Sequence, residues 1–214
     1  MEENSLQLQT PFGYVFGKDY VKEDLSELRT NSLFAEGLDQ KQYASSFGEN
    51  PFHILDKYQY SKKIISQYFH KFIRAFYSCD VEFKLTTSWA IKLRKGEAVH
   101  HHNHKNCLWS GLFYYGDYTE KSCPLHFRNP IIDSIPLCVE PNQRNPMISD
   151  IAIPPETNMI IFFPSWIYHW SYDNQEHTRY SLAFNFMPSG QIGGGDSSYS
   201  PSMMLDLKKS KGFG

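Results

Sequence analysis

The chain has 214 residues, a length that favours one compact domain with extended ends over two domains. Its 21 Lys and Arg residues nearly balance 23 Asp and Glu residues, and a formal net charge of -2 gives no overall positive field that would attract nucleic acid. Aromatic residues make up 16% of the chain, which favours a protein with an apolar pocket over a scaffold. The oligomeric state stays open.

The cysteines are far apart in the sequence and form no Cys-x-x-Cys pair. They are Cys79, Cys107, Cys123 and Cys138. With no secretory signal before them, this pattern predicts reduced thiols in a cytoplasmic protein. The longest apolar runs, such as Met159 to Pro164, are much shorter than the roughly 20 residues that cross a bilayer, so no membrane span is expected.

Two helices are predicted before the strands begin. The first is a short helix around Val21 to Leu33, where Leu25 and Leu28 recur at helical spacing, and the other early residues are predicted as loop. The second runs from Asp56 to about Tyr77, because apolar residues recur there at intervals of three and four. These apolar residues are Ile64, Ile65, Tyr68, Phe69, Phe72, Ile73, Phe76 and Tyr77. Such a stripe is more typical of a face packed on a sheet than of a partner-binding surface.

After Cys79 the pattern changes to short runs rich in β-branched and aromatic residues, separated by Gly, Pro, Asn and Asp. The predicted strands are Val81 to Leu93, Ala98 to His104, Leu108 to Tyr115, Pro124 to Arg128, Met147 to Ile153, Met159 to Phe163, Tyr168 to Tyr172 and Thr178 to Met187. They predict a mainly β fold, a two-sheet jelly roll with the long helix packed on one outer face.

The predicted organisation is one domain over residues 1–187, with a helical part at 1–78 and the jelly-roll core at 79–187. Residues 188–214 are rich in Gly and Ser, and we expect them to form a mobile tail or a cover for a site.

Four of the nine histidines fall within the stretch from His100 to His104. On a strand, His100, His102 and His104 share one side, while His101 points to the other. Neighbouring imidazoles on a rigid strand can chelate iron, zinc or copper. A histidine-rich surface strand explains the cluster about equally well, so a metal site requires a third ligand from elsewhere.

His169 is the predicted third ligand, and it follows a strand that ends at Pro164. Alone it would more often be a structural histidine, but Arg179 and Ser181 come ten residues later on one face of a predicted strand. An arginine beside a hydroxyl is a good receptor for a carboxylate, because the guanidinium donates two parallel hydrogen bonds. Without this context, a surface ion pair would be the usual role of Arg179.

These motifs resemble the 2-oxoglutarate- and Fe(II)-dependent oxygenases, whose fold is a double-stranded β-helix, a form of jelly roll. The distal histidine, the gap of about ten residues and Arg-x-Ser are typical of that superfamily's cosubstrate site. Four stretches also resemble a little-characterised subgroup found in bacteria and phages: His102-Asn-His104-Lys-Asn106, Ser110-Gly-Leu-Phe-Tyr-Tyr115, Phe163-Pro-Ser-Trp166-x-x-His169 and Arg179-x-Ser181-x-x-Phe184-Asn185. The resemblance spans roughly Trp89 to Met187.

The resemblance implies an oxidoreductase that binds Fe(II) through His102, His104 and His169 and the cosubstrate 2-oxoglutarate through Arg179 and Ser181. It implies a hydroxylase that couples oxidation of its substrate by dioxygen to decarboxylation of 2-oxoglutarate to succinate. Further candidates for contacts to the ligands or the cosubstrate are Asn106, Ser110, Tyr115 and Asn185. Walls of the site are expected from Trp109 and Trp166. We expect the substrate to be a small molecule, such as a metabolite, a nucleotide or a lipid precursor, or a protein side chain, with no obligatory nucleic acid or membrane partner.

Two positions depart from the subgroup's pattern, with Lys105 in place of Pro and Asn158 in place of Gly. His104 also stands where the superfamily usually has Asp or Glu, so a carboxylate such as Asp117 or Glu97 stays open as the third ligand.

Two other functions stay open as well. One is a three-histidine cupin dioxygenase that works without 2-oxoglutarate, and the other is a non-enzymatic jelly roll that binds zinc or nickel. Neither the native metal nor the substrate can be read from the residues, and loops around Asp117 to Cys123 and Arg128 to Asp150 are expected to select the substrate.

Overall fold

In the computed structural model the described residues are 7–9, 13–29, 44–45, 52–77, 81–131, 149–175, 177–190 and 196. Within these ranges the chain forms one α-helix, α1 (Gln59–Tyr77), and short 3-10 helices at Ser26–Arg29 and Ile54–Asp56. The strands are β1 (Gln7–Gln9), β2 (Phe16–Tyr20), β3 (Ala44–Ser45), β4 (Phe83–Leu93), β5 (Val99–His102), β6 (Trp109–Phe113), β7 (Leu125–Arg128), β8 (Asp150–Ile153), β9 (Met159–Pro164), β10 (His169–Ser171) and β11 (Arg179–Pro188).

The strands form two antiparallel sheets that confirm the predicted jelly roll. The larger sheet has the order β1-β2-β9-β6-β11-β4-β3, and the smaller has the order β5-β10-β7-β8. Strand β11 lies inside the larger sheet, where it pairs with β4 along its whole length and with β6 over residues 182–186. Strand β10 pairs with β5 and β7 in the smaller sheet. The chain therefore crosses repeatedly between the sheets, as in a double-stranded β-helix.

Helix α1 packs on the outer face of the larger sheet through its aromatic stripe, as predicted. Phe69 and Phe72 are fully buried, and the Phe69 ring stacks on Phe186 of β11 with 3.7 Å between centroids and 4° between planes. The close approach depends on Gly17 of β2, where a Cβ atom would lie 2.6 Å from Cδ2 of Phe72. Each buried aromatic ring contributes on the order of 1.5–3 kcal/mol, so this face anchors the helix.

A second apolar core fills the space between the two sheets. It contains Leu93, Leu125, Phe127 and Phe163, all at most 2% exposed. The rings of Phe127 and Phe163 pack edge to face in this core, with 4.8 Å between their centroids. This packing leaves an open polar end to the jelly roll, and the histidine-bearing ends of β5 and β10 lie there.

All eight predicted strands are present, with boundaries shifted by at most a few residues, and the predicted long helix begins at Gln59. The expectation for the N-terminal part was wrong in two respects. Instead of a helix from Val21 there is a 3-10 helix at Ser26–Arg29, and residues 30–43 lie outside the described ranges. The segment predicted as loop also contains β2, which pairs with β9. Most of the predicted tail, from residue 191 on, lies outside the described residues.

Cys107 and Cys123 are free thiols, while Cys79 and Cys138 lie outside the described ranges. Across the described part of the chain, no helix has both the length and the apolar character needed to cross a membrane.

Candidate metal and cosubstrate site

Three histidines converge at one end of the jelly roll. His102 ends β5 and His169 begins β10, and the two residues are direct partners in the strand register. His104 lies two residues beyond β5, where its backbone N–H donates to the carbonyl oxygen of Ser165 at 2.9 Å. The possible ligand atoms of the three side chains all lie within 4.8 Å of one another. The structure thus brings together the three predicted metal ligands.

Hydrogen bonds set the direction in which two of these imidazoles present a lone pair. His102 Nδ1 lies 2.8 Å from the carbonyl oxygen of His100, and His169 Nδ1 lies 2.9 Å from that of Ile167. Because a carbonyl oxygen only accepts, Nδ1 carries the proton in both rings. Nε2 is then free to bind a cation, which is how a hydrogen-bonded partner orients a histidine ligand.

Burial keeps all three imidazoles in the neutral form that binds metals. It lowers the pKa of His104 to about 4, and the neighbouring His102 adds to the shift. The pKa of His169 is held well below its ordinary value, first by burial and then by His102 and His104. Burial also lowers the pKa of His102. Three clustered neutral imidazoles suit a divalent transition metal.

A second polar group lies deeper in the jelly roll, at Arg179 on β11. The side chain is 1% exposed, and one Nη group donates to the carbonyl oxygen of Cys123 at 2.8 Å. Its guanidinium carbon lies 5.9 Å from the centre of the Tyr114 ring. In the described part of the chain, Arg179 Nε, Ser181 Oγ and the Tyr114 hydroxyl are buried without a hydrogen-bond partner. Such groups cost about 1–3 kcal/mol each when unsatisfied, so they fit an anionic ligand.

One cavity of about 370 Å³ is lined by the three histidines and by Arg179, while Ser181 and Tyr114 are not among its lining residues. Its lining also includes Asn185, together with apolar side chains of both sheets. Toward the outside it is bordered by Phe52, Trp89, His100, Asn103 and Lys105. The described lining residues include no Asp or Glu, so the end of the cavity at Arg179 favours an anion.

A family model described as "Putative 2OG-Fe(II) oxygenase" matches residues 87–185, a range that holds the three histidines, Arg179 and Ser181. The matched range is 99 of the 214 residues, so nearly half of this chain is similar to the 2OG-Fe(II) oxygenases. The match confirms the resemblance predicted from the sequence and indicates an oxidoreductase of the class that uses Fe(II) and 2-oxoglutarate. A search of curated proteins finds no sequence match.

Solved structures of oxygenases share the fold of this chain. A 2OG-Fe(II) oxygenase family oxidoreductase from Burkholderia pseudomallei has a TM-score of 0.54 at 11% identity, covering 80% of this chain and 83% of that one. A Pseudomonas putida prolyl-4-hydroxylase has a TM-score of 0.52 at 12% identity, covering 84% and 95%. HygX from Streptomyces hygroscopicus, with nickel and 2-oxoglutarate bound, has a TM-score of 0.53 at 8% identity, covering 81% and 82%.

The additional residues predicted for the oxygenase site divide into two groups. Ser110 and Asn185 lie beside His104, with oxygen atoms 2.8 and 2.9 Å from its Nδ1. The structure does not bring Asn106 or Tyr115 to the cavity. Asn106 is exposed in a turn, with a left-handed φ of 58°. Tyr115 is buried in the core beneath α1, because it points to the opposite face of the sheet from Ser110 and Tyr114.

The expected walls of the cavity also need correction. Trp109 packs beneath α1 against Phe72, and Trp166 is 43% exposed beside Tyr14, so neither lines the cavity. Trp89 takes that role, with its ring 5.3 Å from that of His104. Tyr114 was not predicted at all, although strand alternation from Ser110 would have indicated it.

The acidic alternatives to His104 lie away from the three histidines. Glu97 accepts hydrogen bonds from the backbone N–H of Arg94 and from its guanidinium, and Asp117 is exposed. Asn158, the departure from Gly, adopts a φ of 64°. This is the left-handed region that glycine enters freely and asparagine more readily than most residues, so the substitution is compatible with the turn.

Proposed function

We propose that this oxygenase is a hydroxylase in which His102, His104 and His169 hold Fe(II), and Arg179, Ser181 and Tyr114 hold the 5-carboxylate of 2-oxoglutarate. The observation that carries the proposal is that three neutral imidazoles and a buried guanidinium open onto one cavity. The substrate is a small molecule or a protein side chain with an oxidisable C–H bond.

At the metal site, the chain presents three imidazole nitrogen lone pairs from side chains that are held in place by the fold. His102 and His169 are on paired strands of the smaller sheet, and both Nδ1 atoms are hydrogen-bonded to backbone carbonyls. Fe(II) held there supplies the activation of dioxygen that converts 2-oxoglutarate to succinate and carbon dioxide and oxidises the substrate. Ligands fixed in advance reduce the cost of ordering the site when the metal binds.

For the cosubstrate, Arg179 supplies a positive charge and hydrogen bonds of fixed direction. A guanidinium donates to both oxygens of a carboxylate, and in a buried site this pair is stronger than at the surface. Burial raises the pKa of Tyr114 to about 12, so its hydroxyl stays protonated and able to donate. These donors hold a dicarboxylate by its far end, which leaves its keto acid directed toward the histidines.

The substrate enters from the outer part of the cavity, where Trp89 and Phe52 form an aromatic border with 6.1 Å between ring centroids. Phe52 is 55% exposed and Trp89 is partly buried, so these rings can cover an apolar part of a substrate and exclude water from the metal.

The free thiols of Cys107 and Cys123 support a cytoplasmic location for this enzyme, and its near-neutral charge supports function without an obligatory nucleic acid partner.

The test is succinate release by the purified protein supplied with Fe(II), 2-oxoglutarate and dioxygen. His169→Ala removes a ligand and is expected to lower the rate at least about 100-fold, while His70→Ala on α1 is the matched control and retains the wild-type rate. Undiminished turnover by His169→Ala would reject the metal assignment. Oxygen consumption by the wild type without added 2-oxoglutarate would instead favour a three-histidine cupin dioxygenase.

A further inference from the structure

A row of four polar side chains crosses the inner face of the larger sheet beside His104. Thr87, Asn185 and Ser110 are register partners on β4, β11 and β6, so they are direct neighbours across three strands. Ser165 follows the end of β9, and its Oγ lies 2.8 Å from that of Ser110. We call Thr87, Asn185, Ser110 and Ser165 the polar row.

Hydrogen bonds join each member of the polar row to its neighbour. The Asn185 amide nitrogen donates to Thr87 Oγ1 at 2.8 Å, and the Ser110 hydroxyl donates to Asn185 Oδ1 at 2.7 Å. Ser110 and Ser165 are fully buried and Asn185 is 8% exposed. Buried polar groups joined in this way have few alternative arrangements, so the row is rigid.

The row contacts His104 at three points. Asn185 Oδ1 lies 2.9 Å from His104 Nδ1, and Ser110 Oγ lies 2.8 Å from the same atom. The carbonyl oxygen of Ser165 accepts the backbone N–H of His104. Both the ring and the main chain of this histidine are therefore held by the polar row.

The orientation of the Asn185 amide decides which nitrogen of His104 is available. With its NH₂ group donating to Thr87, the amide turns its oxygen toward the ring, and an oxygen acceptor requires the proton on Nδ1. The Ser110 hydroxyl proton is already donated to Asn185, so it does not compete for Nδ1. In the reversed amide, NH₂ would face Nδ1, the proton would move to Nε2, and His104 would be unable to bind a metal through that atom.

The backbone of Asn185 is held as firmly as its side chain. The pairing of β11 with β4 skips Thr86 directly beside Asn185, which marks a β-bulge, and the Thr86 hydroxyl donates to the Asn185 carbonyl oxygen at 3.2 Å. Bulges next to functional sites commonly redirect a side chain.

We propose that Asn185 is the positioning residue for the third imidazole, and that the polar row selects the His104 tautomer whose Nε2 binds metal. The inference rests on the proposed function, since it assigns a role to residues around a proposed ligand. Support of this kind around a metal-bound histidine typically changes metal affinity by about 10–100-fold when it is removed.

The test compares Ni(II) affinity, by competition with a chelating dye, in wild-type protein, Asn185→Leu and Asn185→Asp. Asn185→Leu removes the acceptor and is expected to weaken binding by about 10–100-fold. Asn185→Asp keeps an acceptor facing Nδ1 and is expected to bind at least as tightly as wild type. The control is Ser88→Ala, which changes a fully buried serine of β4 outside the polar row and leaves the affinity unchanged.

Nuclear magnetic resonance of the histidine ring nitrogens in metal-free wild-type protein gives a second readout that needs no variant. We expect the proton of His104 on Nδ1, and a proton on Nε2 overturns the inference even if Asn185→Leu fails to fold. Equal Ni(II) affinity in wild type and Asn185→Leu, or an equal loss in both Asn185 variants, also overturns it. Failure of the wild type to bind any divalent metal would overturn the proposed function together with this inference.

Discussion

Replacing Arg179 by methionine should destroy selective cosubstrate binding while leaving the ligand-free protein as stable as before. A hydrogen bond to a charged group contributes about 1.5–3 kcal/mol, so loss of two such bonds to the 5-carboxylate costs about 3–6 kcal/mol. Each 1.4 kcal/mol is a factor of about ten, and the Kd for 2-oxoglutarate is therefore expected to rise at least about 100-fold.

The stability argument follows from the surroundings of Arg179. The side chain is 1% exposed, and the contacts described for it are a carbonyl oxygen and the ring of Tyr114, with no carboxylate. A buried charge without a counterion is costly, and methionine fills a similar volume. We expect the free energy of unfolding to be unchanged or higher by about 1 kcal/mol, because functional groups are commonly retained at a cost in stability.

Calorimetry on Ni(II)-loaded protein tests the binding part with two ligands, 2-oxoglutarate and 2-oxovalerate, which has a methyl group in place of the 5-carboxylate. Denaturant unfolding of the ligand-free wild type and Arg179→Met tests the stability part. Wild type should strongly prefer 2-oxoglutarate, and Arg179→Met should bind the two about equally. Arg94→Met, at a 40% exposed arginine side chain paired with Glu97, is the control and keeps the preference. An Arg179→Met protein that still discriminates like wild type would refute the assignment of the carboxylate to Arg179.

Three further outcomes are expected. Tyr114→Phe removes a buried hydroxyl without a described partner, so calorimetry should show the Kd for 2-oxoglutarate rising about tenfold, with stability changed by less than about 1 kcal/mol. Gly111→Ala places a Cβ 2.5 Å from the Ile161 carbonyl oxygen, and thermal unfolding should show a loss of about 1–3 kcal/mol. Burial raises the pKa of Tyr114 to about 12 from its ordinary 10.0. The stability that the protonated hydroxyl contributes is therefore intact below pH 10 and is lost as the pH rises toward 12. Denaturant titrations at increasing alkaline pH should show stability falling, and less steeply in Tyr114→Phe.

The clustering of the proposed metal ligands and the burial of Arg179 could be predicted because strand alternation and spacing are local properties. His102 and His104 were separated from His101 by parity alone, and His101 does lie on the other side, stacked on Tyr168 at 4.8 Å. His169 and Arg179 were indicated by their distance along the chain and by the motif around them. Such features require no knowledge of the partner strands.

The residues that were missed depend on contacts between distant parts of the chain. Strand β2 contains Gly17, Lys18 and Asp19, a run with no apolar alternation, and it is a strand because β9 pairs with it. Asp19 is nevertheless 2% exposed, where its carboxylate pairs with Lys71 of α1 at 2.9 Å. No local pattern could indicate that a buried carboxylate pairs with a partly exposed lysine 52 positions away.

At the candidate site one miss was local and one was not. The choice between Tyr114 and Tyr115 is set by the parity of β6, which the sequence does show, but the motif resemblance pointed to Tyr115, whose ring lies in the core beneath α1. Asn185 was predicted to lie near the ligands. Its hydrogen bond to Thr87 was not, because it lies beside a bulge in β4 that no sequence pattern predicts.

Whether three imidazoles and Arg179 serve one cavity is tested most directly by titrating metal-free protein with Fe(II) and 2-oxoglutarate without oxygen, while recording visible absorbance. Chelation of iron by the keto acid gives a charge-transfer band. Wild type should develop this band at one Fe(II) and one 2-oxoglutarate per chain, and His169→Ala should not develop it. A band of wild-type intensity in His169→Ala, or iron binding in wild type with no band on adding 2-oxoglutarate, would contradict the proposed site.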